Sequence, residues 1–321
     1  MKQIAEAAPV RAMRGRGFAV AAAVACAAVL AGCGLGAGSA PTGVQLAVTD
    51  DFGARPVAAF AHPKLKGEET VIRLLSRNAR VRTRYGGGFV QSIDGLAGGQ
   101  RGGRPIDWFY YVNGIEAPRG AADTKVRAGD RVWWDRHDWG RANRIPAVVG
   151  SFPEPFRHGT GGRRLPVRVE CAPPTTPACG QVSDRLVALG VPAARGGLGT
   201  SAAQKTLRVL VGTWQALRLD PAALPLEHGP AASGVFVRMD AGGKAVSLLD
   251  ARGRVTRVLR AGTGLVAATR FEEAQPTWFV TGSDARGLDS AVRALDASAL
   301  TGHFALVVSQ DRGIPVPDVT P

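Results

Sequence analysis

Ile106-Asp-Trp-Phe-Tyr-Tyr-Val-Asn-Gly114 decides how the first half of this 321-residue chain is read. A run of aromatic and β-branched residues favours a strand. The Asn113-Gly114 pair that ends it is favoured where a tight turn needs positive φ. Side chains alternate across a strand, so Trp108 and Tyr110 share one face and Phe109 and Tyr111 the other. Upstream, Val44–Val48 alternates like a half-buried strand. Over Glu68–Arg80, Val71, Leu74, Leu75 and Ala79 fall at helical spacing. Gly86-Gly-Gly88 breaks the chain, Phe89–Ile93 is a short strand, and Asp94-Gly95 is a turn. Ala97–Arg104 reads as a loop, Ala128-Gly-Asp130 as a turn and Arg131–Trp134 as a further strand. One helix crossing a small mixed sheet is the order of a β-grasp fold, placed over residues 43–140.

Three blocks in this region carry a family resemblance. They are Tyr85-Gly-Gly-Gly-Phe-Val-Gln-Ser-Ile-Asp-Gly-Leu96, Trp108-Phe-Tyr-Tyr-Val-Asn-Gly-Ile-Glu-Ala-Pro118 and Ala128-Gly-Asp-Arg-Val-Trp-Trp134. In this order they resemble the transcobalamin-like C-terminal domain of vitamin B12 carriers and many bacterial surface proteins, in the soluble-ligand-binding β-grasp group. The resemblance implies a small-molecule ligand, cobalamin-like or other. The helical barrel that accompanies the domain in animal carriers has no counterpart in this sequence. Ring density agrees with binding: Tyr85, Phe89, Trp108, Tyr110, Trp133 and Trp134 crowd a small domain in a chain that is 6% aromatic. Large rings with polar edges suit a flat ligand or a sugar face, and equally suit a core. The expected ligand-binding set is Tyr85, Gly86, Gly87, Phe89, Trp108 and Tyr110, with the glycines letting backbone approach closely and the second half of the chain covering the open side.

Residues 141–163, with Pro146, Pro153 and Pro155, read as an irregular connector. From 164 to 321, strand-like runs alternate with helical ones. Strands are expected at Leu165–Cys171, Leu207–Val211, Leu265–Thr269, Thr277–Thr281 and Phe304–Val308, with a meander through Gly234–Met239, Ala245–Leu249 and Val255–Leu259. Helices are expected at Val182–Leu189, Trp214–Leu219 and Asp284–Leu300. The fold class is therefore an α+β β-grasp domain followed by an α/β domain with a mixed sheet. Gly196-Gly-Leu-Gly-Thr-Ser201 looks like a phosphate loop but lacks the lysine of one, and a linker is the better reading.

The N-terminus reads as an address. Arg14 and Arg16 precede the apolar run Phe18–Ala31, too short to span a bilayer, and the run ends in Leu30-Ala-Gly-Cys33. This resembles the lipobox of bacterial lipoproteins. It implies cleavage of residues 1–32, lipidation of Cys33 and a tether over residues 33–42, and so an extracytoplasmic protein held to the cell membrane by lipid. Residues 1–32 carry a net +3, so their loss leaves +11 of the formal +14. Outside the cytoplasm the close pair Cys171 and Cys179 is expected to form a disulfide.

No His-Glu-x-x-His, paired Cys-x-x-Cys or Gly-x-Ser-x-Gly occurs, so no catalytic or metal-ligating residue is assigned and no cofactor is expected. Asp135, His137 and Asp138 read as solvated residues following a final strand. The expected function is a ligand-binding lipoprotein that presents a small molecule to a membrane uptake system. The alternative is an envelope protein contacting polysaccharide or another protein, motivated by the basic chain. A cryptic enzyme is the third reading. Nucleic acid is not expected as a partner of an exported chain.

Overall fold

The computed structural model describes residues 39–200, 205–270 and 275–319. The expected signal segment, Cys33 and the first part of the tether lie outside the described residues. Among those described, no helix is long and apolar enough to cross a membrane.

The first half runs β1 (Gln45–Asp50), β2 (Arg55–Phe60), α1 (Val71–Asn78), β3 (Val81–Arg84), β4 (Phe89–Ile93), β5 (Leu96–Ala97), β6 (Gly99–Arg101), β7 (Arg104–Val112), β8 (Ile115–Glu116) and β9 (Arg131–Asp138). The main sheet has the order β2-β1-β9-β7-β6, with β8 hydrogen-bonded to β7. The first and last strands, β1 and β9, lie parallel at its centre, flanked by antiparallel neighbours. This is the β-grasp arrangement expected from sequence. Helix α1 forms because Val71, Leu74 and Leu75 recur on one face, and all three are buried against the sheet. They pack on Leu46, Val48, Trp108, Val132 and Trp134. The hairpin β3–β4 with β5 makes a separate small sheet, and Val90 and Ile93 join the same core. The Asn113-Gly114 turn has φ of 55° and 75°, as its sequence requires. A Cβ on Gly114 would sit 2.7 Å from the carbonyl oxygen of Val148, so the approach of the connector also demands glycine there.

The second half runs β10 (Val167–Ala172), α2 (Pro177–Ala188), β11 (Ala193–Gly197), β12 (Leu207–Thr213), α3 (Trp214–Leu217), α4 (Pro225–His228), α5 (Pro230–Ser233), β13 (Val237–Met239), β14 (Val246–Leu249), β15 (Val255–Leu259), β16 (Gly264–Thr269), β17 (Thr277–Gly282), α6 (Ala285–Ala294), α7 (Ala297–Leu300), β18 (Ala305–Ser309) and β19 (Arg312–Val316). Seven strands form a mixed sheet, β11-β10-β12-β17-β16-β18-β19, parallel on the β11 side and antiparallel on the β19 side. Helices α2 and α6 cover one face, burying Val182, Leu186, Leu288 and Val292 with Val169, Val209 and Val280. The expected disulfide joins Cys171 at the end of β10 to Cys179 in the first turn of α2, with Cα atoms 5.9 Å apart. Of the segment read as a linker, Gly196–Ser201, the first two residues instead end β11, an edge strand of this sheet.

The boundary at residues 141–163 separates the two sheets in sequence but not in packing. The connector has no regular structure, yet Ile145, Val148, Val149, Phe152 and Phe156 are all buried. Phe152 and Phe156 lie against Trp278 beneath the second sheet. A second core is shared by both halves: Phe52, Tyr111 and Trp133 from the first meet Phe236, Leu265, Phe279 and Phe304 from the second. Burial of rings on this scale stabilises the junction far more than surface contacts could.

Candidate functional site

The shared core decides what the aromatic strand can do. On β7, Trp108 faces α1 and is only 6% exposed, and its indole N–H donates to the carbonyl of Leu96 at 3.0 Å. Trp108, expected as a ligand-facing ring, is therefore core, because the helix and the small hairpin sheet close over that face. Tyr110 is half-buried and stacks on Trp134 with ring centroids 4.9 Å apart. Its hydroxyl bonds to the Arg119 carbonyl and, at 2.9 Å, to the Thr124 hydroxyl, so the polar handle is already engaged. Burial raises the Tyr110 pKa above that of an ordinary tyrosine.

The opposite face is no more open. Phe109 stacks on His137 at 4.4 Å, and Tyr111 is fully buried between Trp133 and Phe304. Tyr85 and Phe89 do stand out, 85% and 37% exposed, and meet edge to face at 6.4 Å on the tip of the β3–β4 hairpin. The glycines beside them form a turn, not a cradle: Tyr85–Gly87 is a 3-10 turn and a Cβ on Gly87 would meet nothing within 4 Å. The expected ligand set is thus divided. Phe89 points outward from a strand whose next residue, Val90, points into the core above which α1 and Trp108 pack.

A second expectation is overturned at the end of β9. Asp135, His137 and Asp138 are not solvated; they are 0%, 2% and 5% exposed, because β9 continues to Asp138. Asp135 accepts from the Thr49 hydroxyl at 2.5 Å, from the Phe52 and Gly53 amides at 3.1 and 2.8 Å, and from His137 Nδ1 at 2.8 Å. Trp133 Nε1 donates in turn to the Thr49 hydroxyl at 2.7 Å. This network fixes the β1–β2 turn against the second half, where Phe52 and His137 both touch Phe304. Both oxygens of Asp135 are committed to it, so the side chain positions the β1–β2 turn. Among the described residues, no group of three or more His, Cys, Asp or Glu is placed to hold a metal ion.

A polar concave surface lies elsewhere, at the junction, distinct from a shallow apolar one of about 690 Å³ lined by Val167, Val187 and Pro192. A cleft of about 470 Å³ is bounded by the β8 turn and the segment before β9, by Thr160–Arg163 of the connector, and by Arg270, Gln275 and Pro276 of the second half. Its size is that of a small-molecule site. Arg119, Lys125, Arg127, Arg163 and Arg270 line it against Glu116, Asp123 and Asp130, five cations to three carboxylates. The apolar part comes from Val112, Ile115, Pro118 and Pro276. Burial pushes the Glu116 carboxyl above the usual carboxylate range, opposed by its bond to Arg144 at 3.0 Å and by His137 and Arg270 nearby. Burial likewise raises Asp130, against hydrogen bonds from the Arg127 amide and Asn113. Asn113 also donates to the Gly159 carbonyl and accepts from the Arg131 amide, so the turn residue ties the connector to the cleft floor.

The three blocks that resemble the transcobalamin-like domain now form the α1 hairpin layer, the aromatic strand and β9. Residues 68–138 match the family model described as "Domain of unknown function (DUF4430)". That family is associated with transcobalamin-like proteins, and the match runs from the approach to α1 to the end of β9. No curated protein matches the chain. The cleft draws on this domain for Val112–Asp130 and on the rest of the chain for its other wall. The cleft is not legible in sequence because its residues come from three separated segments that meet only in the fold, although Val112–Pro118 and Asp130 lie in the blocks that carry the resemblance.

Proposed function

We propose that this chain is a lipid-anchored, extracytoplasmic binding protein whose ligand is an anionic small molecule held in the junction cleft. The observation that carries the reading is the charge of that cleft: an excess of guanidinium and ammonium groups around a concavity of ligand size, at an interface between two parts of the chain. Planar guanidinium groups favour carboxylate or phosphate oxygens, and the apolar rim suits an organic body attached to them. The resemblance of residues 85–134 to transcobalamin-like domains supports a binding role. The lipobox at Leu30–Cys33 supports the anchor. A bound molecule of this kind would be handed to a membrane uptake system.

Native mass spectrometry of the chain purified from its own host tests the reading. The parent carries a small anionic adduct, and Arg163→Glu, which reverses one charge at the cleft wall, lowers its occupancy by roughly tenfold or more. Occupancy also rises as the pH is lowered through the raised Glu116 value, because protonation removes a negative charge facing the anion. A parent without any adduct, or an adduct indifferent to Arg163→Glu, contradicts the proposal.

A further inference from the structure

The exposed rings of the β3–β4 hairpin are accompanied by unpaired charge. Arg82, Thr83, Arg84, Tyr85, Gly88 and Phe89 are all exposed, and Arg84 lies directly across the hairpin from Phe89. Arg80 precedes them, 89% exposed and only loosely paired with Asp94 at 3.5 Å. Neither Arg82 nor Arg84 has an ion-pair partner among the described residues. The other side of the hairpin, through Val90 and Ile93, is locked into the core beneath α1. The result is a rigid finger with a basic shaft and an aromatic tip.

Its position relative to the chain's entry point says what it meets. The Thr42 carbonyl accepts from the Gly129 amide at 2.8 Å, and the Asp130 carbonyl from the Gln45 amide at 2.9 Å, so the tether emerges beside residues 129–130. From there the backbone leads back to Gly120, where a Cβ would lie 4.0 Å from the Gly88 carbonyl of the hairpin tip. Tether exit and hairpin tip thus border the two ends of one segment, Gly120–Asp130, which bears exposed Lys125 and Arg127. The tether, residues 33–42, spans at most about 35 Å when fully extended. A lipid on Cys33 therefore confines the tether exit to within that distance of the bilayer, with the hairpin tip a further ten residues of chain away at most.

We infer that the β3–β4 hairpin is a membrane-docking element: Arg80, Arg82 and Arg84 meet anionic phospholipid headgroups while Tyr85 and Phe89 enter the interfacial layer. Aromatic rings favour the headgroup level, and arginines reach anionic phosphates while their stems stay in apolar surroundings. Each arginine close to an anionic surface is worth about fivefold in partitioning. The inference rests on the lipid anchor proposed above, and it orients the molecule, placing the mouth of the cleft near the membrane.

The test uses the full lipidated chain in vesicles of phosphatidylcholine, with or without phosphatidylglycerol. In the parent the Cys33 thiol is blocked by lipid and Cys171 and Cys179 are bonded to each other. Tyr85→Cys therefore offers a single reactive thiol for an environment-sensitive nitrobenzoxadiazole dye. Its emission shifts to the blue in phosphatidylglycerol vesicles and not in phosphatidylcholine alone. Arg82→Gln and Arg84→Gln each lower the docked fraction about fivefold, and high salt weakens docking by screening. The same dye at Val258, exposed on β15, keeps its water-like emission. A parent that floats with the vesicles while the dye at position 85 stays water-like overturns docking and leaves the anchor standing. A parent that does not float overturns the anchor and docking together. A blue shift at Val258 equal to that at position 85, or a response to cell-wall polymer and none to phosphatidylglycerol, overturns docking by the hairpin.

Discussion

Asp135→Ala is expected to destabilise the protein by about 3–5 kcal/mol, the range for breaking a buried, fully bonded charge. The carboxylate has no exposed surface and accepts four hydrogen bonds, from Thr49, Phe52, Gly53 and His137. Alanine removes every acceptor at once and leaves buried donors, each costing about 1–3 kcal/mol when unsatisfied. Asp135→Asn keeps the shape and one carbonyl oxygen, and it places an amide N–H opposite groups that donate, so an intermediate loss is expected. Urea unfolding followed by tryptophan fluorescence measures both. Because Phe52 and His137 stack on each other and meet Phe304 of the second half edge to face, the loss should appear in one transition shared by both sheets. A cost below about 0.5 kcal/mol, within the range of surface changes, or separate transitions for the halves, would contradict this account of the junction.

Arg208→Met is the second large effect, again about 3–5 kcal/mol at neutral pH. Arg208 on β12 is buried and joins two buried carboxylates: its Nη2 and Nε donate to Glu170 at 2.6 and 3.2 Å, and its Nη1 and Nη2 donate to Asp220. Burial works against the arginine charge, but the hydrogen bonds to Asp220 and Glu170 outweigh it and hold its pKa above the ordinary value. Methionine fills much of the volume and leaves two like charges facing each other without a counter-ion. Denaturant midpoints of variant and parent at neutral pH check the size. A cost below about 0.5 kcal/mol, the range of surface changes, would mean the triad does not carry its charge as described.

The elements most legible in sequence were those whose periodicity is set by a single covering layer. Helix α1 was expected over Glu68–Arg80 and observed over Val71–Asn78, because Val71, Leu74 and Leu75 face one sheet. Strands β10, β12, β14, β15, β16, β17 and β18 all lie within or beside runs expected from sequence, since they belong to a closely packed sheet or its meander. The missing strands share a different chemistry. β2, β11 and β19 are edges, and Arg195-Gly-Gly197 and Arg312-Gly313 carry no apolar alternation because half of an edge strand faces water.

The candidate site was harder to read for a related reason. Alternation on β7 separates Trp108 and Tyr110 from Phe109 and Tyr111, but it does not say that both faces will be covered. That follows only from the packing of the second half, which supplies Phe236 and Phe304. Asp135-Arg-His-Asp138 has the composition of a solvated turn, and is buried because each charge finds a partner: Arg136 bonds to Asp50 at 3.0 Å and Arg104 to Asp138 at 3.1 Å. The cleft residues Glu116, Arg163 and Arg270 lie far apart along the chain and meet only because the connector is packed at the junction.

The central claim, that ligand binds in the junction cleft and not on the aromatic sheet, is tested most directly by hydrogen–deuterium exchange. The host-purified protein is compared before and after its bound molecule is stripped by high salt. Stripping is expected to speed exchange at the amides of residues 115–130 and 160–163, while residues 85–93 and 104–111 are unchanged. Faster exchange confined to the hairpin and the aromatic strand, with none in the cleft segments, would contradict it.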